Sequence, residues 1–196
     1  VKLFYYLQRH NLNYMATRYH FGDNEKPHFI TFSVVNWIDV FTRESYTQIL
    51  LDSLRFCIEK KGLRLHAWVI MSNHVHLIAS AKEGFKLADI MRDMKKFTSQ
   101  RIIAAITENE QESRKDWLIW MFKRAGARNK NNETYQFWQQ DNHPIELSTN
   151  EMMDQRLDYL HNNPVKAGVV WEPQHYKYSS GVDYYSEGKG LLPIEI

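Results

Sequence analysis

The sequence predicts an α+β fold, an antiparallel sheet of ferredoxin-like type with helices packed on it. Three observations carry that reading. Four stretches have the composition of strands, three have the 3.6-residue apolar period of long helices, and their order along the chain is β-α-β-β-α-β-α. At 196 residues with 43% hydrophobic and 24% charged residues, the chain can bury a core as one domain.

Residues 29–37 (FITFSVVNW) are β-branched and aromatic and read as the first strand. Residues 43–61 read as a helix, because Tyr46, Ile49, Leu50, Leu54, Cys57 and Ile58 recur at helical spacing and Gly62 supplies a stop. Residues 63–71 alternate as a second strand, with Leu65, Ala67, Val69 and Met71 on one face. Ser72 and Asn73 suit a two-residue turn, and residues 74–80 form a third strand, so a β-hairpin is expected. Residues 86–106 read as a long helix with Leu87, Ile90, Met94 and Phe97 as its apolar stripe, and residues 116–125 as a short one. Residues 126–134 (GARNKNNET) form a polar, basic loop expected to be mobile, and residues 135–140 a fourth strand. Residues 148–163 form the next helix. Ser148 with Glu151 three residues on is a capping box, and Pro164 ends the helix. The core spans about 15–170, and an aromatic, irregular tail covers 171–196.

Cys57 is the only cysteine, so no intrachain disulfide forms, and it falls on an apolar stripe. No apolar run approaches the roughly 20 residues of a membrane span. The first 20 residues lack the features of a signal peptide. A cytoplasmic protein without a membrane partner is the expectation. The net charge of +2 does not by itself indicate a nucleic-acid partner. Local clusters say more. Lys95 and Lys96 lie in one basic stretch, and Lys123, Arg124, Arg128 and Lys130 in another. Such clusters can follow a phosphate backbone or simply form solvated helix faces.

The chemistry gathers in two places. In MSNHVHLIAS, His74 and His76 stand two apart on a strand, about 6.6 Å along the chain and on one face. Both can reach one metal ion; two histidines on a half-buried sheet face would look the same. His66 points to the other face in this register and is not counted as a ligand. In YLHNNPVKAG, Tyr159 and Asn163 are four residues apart on a helix and share a face. Tyr159 reads either as a packed core residue or as a nucleophile. A phenol has a pKa near 10, so nucleophilic use needs nearby positive charge such as a bound cation. Asn163 could add an amide oxygen to the metal shell.

The joint pattern of MSNHVHLI, YLHNNPVKAGVV and YKYSS resembles the single-tyrosine HUH transposases, also called IS200-like transposases. The likeness is greatest to their REP-associated tyrosine branch, and covers roughly residues 20–185. The resemblance implies the HUH nuclease fold, with one transposase domain over residues 1–196. It implies Mg²⁺ or Mn²⁺ on His74, His76 and Asn163, the last at a position where many relatives carry glutamine. Tyr159 would be the nucleophile that leaves a 5′-phosphotyrosine link and a free 3′-hydroxyl. The implied partner is single-stranded hairpin DNA from palindromic REP-like elements, in a nucleoid-associated protein that is a monomer or a homodimer. Lys95, Lys96, Lys123, Arg124, Arg128 and Lys130 are then candidate DNA-backbone contacts, and Trp171, Tyr176 and Tyr178 candidate stacking residues. Two rival readings share part of this pattern. One is a metal-dependent phosphohydrolase that uses water, and the other is a non-catalytic nucleic-acid-binding module.

Overall fold

The computed structural model describes residues 21–128, 134–140 and 144–196. Four strands, β1 (His28–Ser33), β2 (Leu63–Ile70), β3 (His74–Ala81) and β4 (Ile145–Glu146), form one antiparallel sheet in the order β2-β3-β1-β4. That is the ferredoxin-like order. The hairpin closes as expected, with the Met71 N–H donating to the His74 carbonyl across Ser72 and Asn73. β3 therefore lies inside the sheet, and alternation gives it one face for each side of the molecule.

One face is packed by α1 (Glu44–Lys60), α2 (Leu87–Glu108) and α3 (Lys115–Ala127). Leu50, Leu54 and Cys57 of α1, Met91 and Met94 of α2, and Leu118 and Phe122 of α3 meet Ile30, Phe32, Val75 and Leu77 there. Burial pushes the Cys57 thiol up to about 11, as its core position requires. The other face holds a smaller cluster of Phe29, Ala67, Val69, Met71, Ile78 and Leu147, closed by Leu160 of α4 (Asn150–His161). A short helical turn, α5 (Asn163–Lys166), follows α4 directly.

Several elements depart from the sequence reading. β1 stops at Ser33, because the Val34 and Val35 N–H groups donate to Asn73 and Phe137 carbonyls and Asn36 turns left-handed at φ 55°. Residues 135–140 are not a strand. Phe137 and Trp138 are both buried, which breaks alternation, and only Trp138 bridges to Val34. The fourth strand is the two-residue β4. On α2 the buried stripe runs through Ile90, Met94, Thr98, Ile102 and Ile106, while Phe97 is 52% exposed. Thr149, not Ser148, caps α4, accepting from the Met152 N–H. Pro164 sits in the first turn of α5, where its missing N–H costs nothing, so it opens a turn as well as closing a helix.

The loop expected over 126–134 begins later, since Gly126 is helical. A Cβ there would lie 2.9 Å from the Tyr135 backbone, so only glycine allows that approach. Residues 129–133, including Lys130, lie outside the described residues, as do residues 1–20. The tail closes the outer edge of β2. Ser180 exchanges hydrogen bonds with Trp68, the Ile70 N–H donates to Tyr178, and Glu195 donates to Leu65. These bonds satisfy an edge that would otherwise invite another strand. Among the described residues no helix is long and apolar enough to cross a membrane.

Candidate active site

His74 and His76 project from the inner strand β3 onto the face that carries α4. Their cross-strand neighbours there are Ser33 and Thr31 on β1, with Val69 on β2 opposite His76. The two rings meet edge to face at 4.9 Å between centroids. His76 is buried and stacks on Phe29, and Thr31 Oγ1 lies 2.7 Å from its Nδ1. Its Nε2 is buried and has no hydrogen-bond partner among the described residues. Such an atom is costly to leave bare, which marks a place for a ligand.

The turn before β3 sets the tautomer of His74. Asn73 donates through Nδ2 to Asp39 Oδ1 at 2.8 Å and to the Trp37 carbonyl at 3.2 Å, which turns its Oδ1 toward His74. That oxygen is 2.8 Å from His74 Nδ1, so Nδ1 carries the proton and Nε2 keeps its lone pair. Burial pushes the His74 pKa down to about 4, against the opposing pull of Asn163 and Asp39. Burial, then the His74 and Arg156 charges, hold His76 well below its ordinary value. Both rings are neutral at pH 7, the form that binds metals.

α4 brings Tyr159 to 5.4 Å from the His76 ring and 5.9 Å from Phe29, in both cases edge-on. Asn163, one turn later, lies close enough to both His74 and Tyr159 to shift their titration. The expected four residues thus converge on one point. Burial raises the Tyr159 phenol above its usual value, while Asn163 and the Arg156 charge pull it back. No group of three or more His, Cys, Asp and Glu residues placed to hold a metal ion occurs among the described residues. The donor set of two imidazoles and an amide oxygen suits a small divalent cation.

Two residues of the site were not singled out in the sequence. Arg156 lies 5.2 Å over the Phe29 ring, and the Lys166 Nζ lies 5.6 Å over the Tyr159 ring. Helical spacing could have found them, since Arg156 is three residues before Tyr159 and Lys166 three after Asn163. His66 falls at a bulge in β2 and bonds to Ser80 Oγ and the Glu195 carbonyl, so it stays out of the site.

The candidate DNA contacts lie elsewhere. Lys95 and Lys96 on α2, and Lys123 and Arg124 on α3, with Arg128 just after it, sit on helices packed against the opposite face of the sheet. Lys95 donates to the Gln139 carbonyl, Lys123 lies over Tyr135, and Arg124 over Trp120. In the tail, Tyr176 donates to the Ile70 carbonyl and packs against the cluster under α4. Tyr178 stands edge-on to Tyr176, and Trp171 is 93% exposed.

Comparison with known proteins places this geometry in context. A family model described as "Transposase IS200 like" matches residues 24–122, half of the chain, a span that includes both histidines. A solved structure of a REP-associated tyrosine transposase bound to a REP hairpin matches with a TM-score of 0.64 at 18% identity, over 93% of this chain and 91% of that one. At that identity the likeness shows the fold. A candidate transposase from Deinococcus radiodurans R1 matches at 16% identity and a TM-score of 0.44, over 76% of this chain and 96% of its own. No curated protein matches the sequence significantly.

Proposed function

The chain belongs to the IS200-like transposase family, and on that premise we propose that it cuts and rejoins single-stranded hairpin DNA through a 5′-phosphotyrosine link on Tyr159. The observation that carries the proposal is the meeting of His74, His76, Tyr159 and Asn163 at one point, around a buried His76 Nε2 with no partner. The hairpin bound by the REP-associated structural relative supports DNA hairpins as the substrate class.

In this reading the Tyr159 oxygen attacks phosphorus. Its proton leaves as the new P–O bond forms, the bond from phosphorus to the 3′ oxygen breaks, and that oxygen takes up a proton. The DNA 5′ end is left on the tyrosine. A 3′-hydroxyl can later attack the same phosphorus and release Tyr159, so the phosphodiester is conserved without a nucleotide cofactor. His74, His76 and Asn163 would hold Mg²⁺ or Mn²⁺, which when bound supplies positive charge at the scissile phosphate. Asn163 beside the phenol favours its ionised form, and Arg156 and Lys166 set a positive field over Tyr159 and the approaching phosphate. Phe29 and Leu160 keep the inner side of the tyrosine dry.

The direct test is cleavage of a labelled hairpin carrying a single-stranded flank, with Mn²⁺ present. Tyr159→Phe should lose cleavage and keep DNA affinity within a few-fold. Normal cleavage by Tyr159→Phe with no covalent adduct would instead make water the nucleophile and the protein a phosphohydrolase.

A further inference from the structure

α3 satisfies the core with Leu118, Phe122 and Gly126. Its outer side carries Trp117, Trp120, Arg124 and, one step past its end, Arg128. Steps of three, four and four residues place these on one stripe. Trp117 is 48% exposed and Trp120 is 51% exposed. Arg124 lies 5.0 Å over the Trp120 ring, so guanidinium and indole already form a cation–π pair. Burying these indoles would not improve the core, whose places on this helix are filled. Two adjacent large aromatic rings at solvent are the unusual feature of this face.

The chemistry of the stripe selects its partner. Flat π faces ask for flat π faces, and two arginines on one rim ask for anions; Asp116 is the only acid on the helix. Unpaired nucleotides offer both in alternation. A duplex offers phosphates but hides its base faces, so it would use the arginines and leave the indoles idle. We propose that the outer face of α3 is a second platform for single-stranded DNA, separate from the Tyr159 site and on the opposite side of the sheet. Unpaired bases stack on Trp117 and Trp120, and the adjoining phosphates meet Arg124 and Arg128. The platform would hold strand beyond the segment being cut. The inference rests on the reading that the chain handles single-stranded DNA, but not on Tyr159 being the nucleophile.

The test measures anisotropy of labelled oligothymidine, and of a blunt hairpin without flanks, on the full chain carrying Tyr159→Phe. Stacking is worth about tenfold or more in affinity per base. Trp117→Ala with Trp120→Ala should therefore weaken oligothymidine binding by at least about tenfold, and leave the blunt hairpin within about twofold. Trp→Tyr at both sites should restore most of the loss. Arg124→Gln with Arg128→Gln should flatten the salt dependence by about 1.4 in log–log slope, from two phosphate contacts on a single strand. This pair serves as the test should the alanine pair lower the melting temperature. With Tyr159 restored, adduct formation at saturating DNA should be unchanged by the tryptophan substitutions. Unchanged oligothymidine affinity would overturn the proposal, as would an equal loss on the blunt hairpin. Unchanged DNA binding with lost self-association in sedimentation would overturn it too, assigning the face to a second copy of the chain. Absence of any adduct in the Tyr159 protein would remove the phosphotyrosine mechanism while leaving the platform result standing.

Discussion

Glu112 ties the core to the turn that orients His74, and its replacement should show in both stability and pH dependence. Its carboxylate is fully buried and accepts from Arg43 Nε at 3.1 Å, Arg114 Nε at 3.2 Å and the Arg114 N–H at 3.1 Å. Arg114 in turn donates to the Asp39 carbonyl, and the Asp39 side chain accepts from Ser72 and Asn73 beside His74. Burial alone would raise the Glu112 pKa, but the Arg114 and Arg43 hydrogen bonds outweigh it and hold the carboxyl down at about 2. At about 1.4 kcal/mol per tenfold, a fall from 4.5 to about 2 corresponds to roughly 3 kcal/mol. The Arg43 and Arg114 side chains are 41% and 34% exposed, so solvent screens part of this and about 2 kcal/mol remains. Glu112→Gln keeps the volume and removes the charge. It should lower the melting temperature by about 4–8 °C at pH 7, given the size of the chain. A carboxyl whose folded pKa is depressed contributes in full above its unfolded value and loses that contribution as pH falls through its folded value. Urea melts at a series of pH values should therefore show a constant gap between wild type and Glu112→Gln above about pH 5, closing between about 5 and 2. No gap at pH 7, or a gap that widens on acidification, would refute this reasoning.

Other perturbations test other links. Thr31→Val removes the partner of His76 Nδ1. Mn²⁺ affinity by calorimetry should fall about 10–100-fold with the fold retained, and an unchanged affinity would deny His76 a role as ligand. Leu160→Ala opens a cavity where α4 meets Val69 and Ile78. It should cost about 3 kcal/mol, read as a drop of about 6–12 °C in melting temperature, and a shift under about 2 °C would contradict the packing described.

Much of this arrangement was legible locally. The alternation of Ala67, Val69 and Met71 together with the two-residue turn gave the register that places His76 beside Val69, whereas Leu65, expected on the same face, packs on the opposite one because a bulge separates it from Ala67. The four-residue spacing of Tyr159 and Asn163 gave their common face. What escaped depended on partners far along the chain. Residues 135–140 look like a strand by composition, yet Trp138 turns inward to donate to Thr98 on α2 and the pairing is lost. β4 is two residues long, too short for any period to show. Phe97 fits the apolar stripe of α2 by spacing but lies off the side that α1 and the sheet cover, so it stays at solvent. The tail's pairing with β2 joins residues more than a hundred positions apart, with no local signal. Arg156 and Lys166 look like ordinary surface charges until α4 is laid on the sheet beside Phe29.

The most direct test of the central claim is peptide mapping by mass spectrometry after incubation with hairpin DNA and Mn²⁺ under denaturing quench. The account predicts a nucleotide-bearing peptide modified at Tyr159, absent without the metal and absent in His76→Ala. Cleaved DNA with no modified peptide, or a link on another residue, would contradict it.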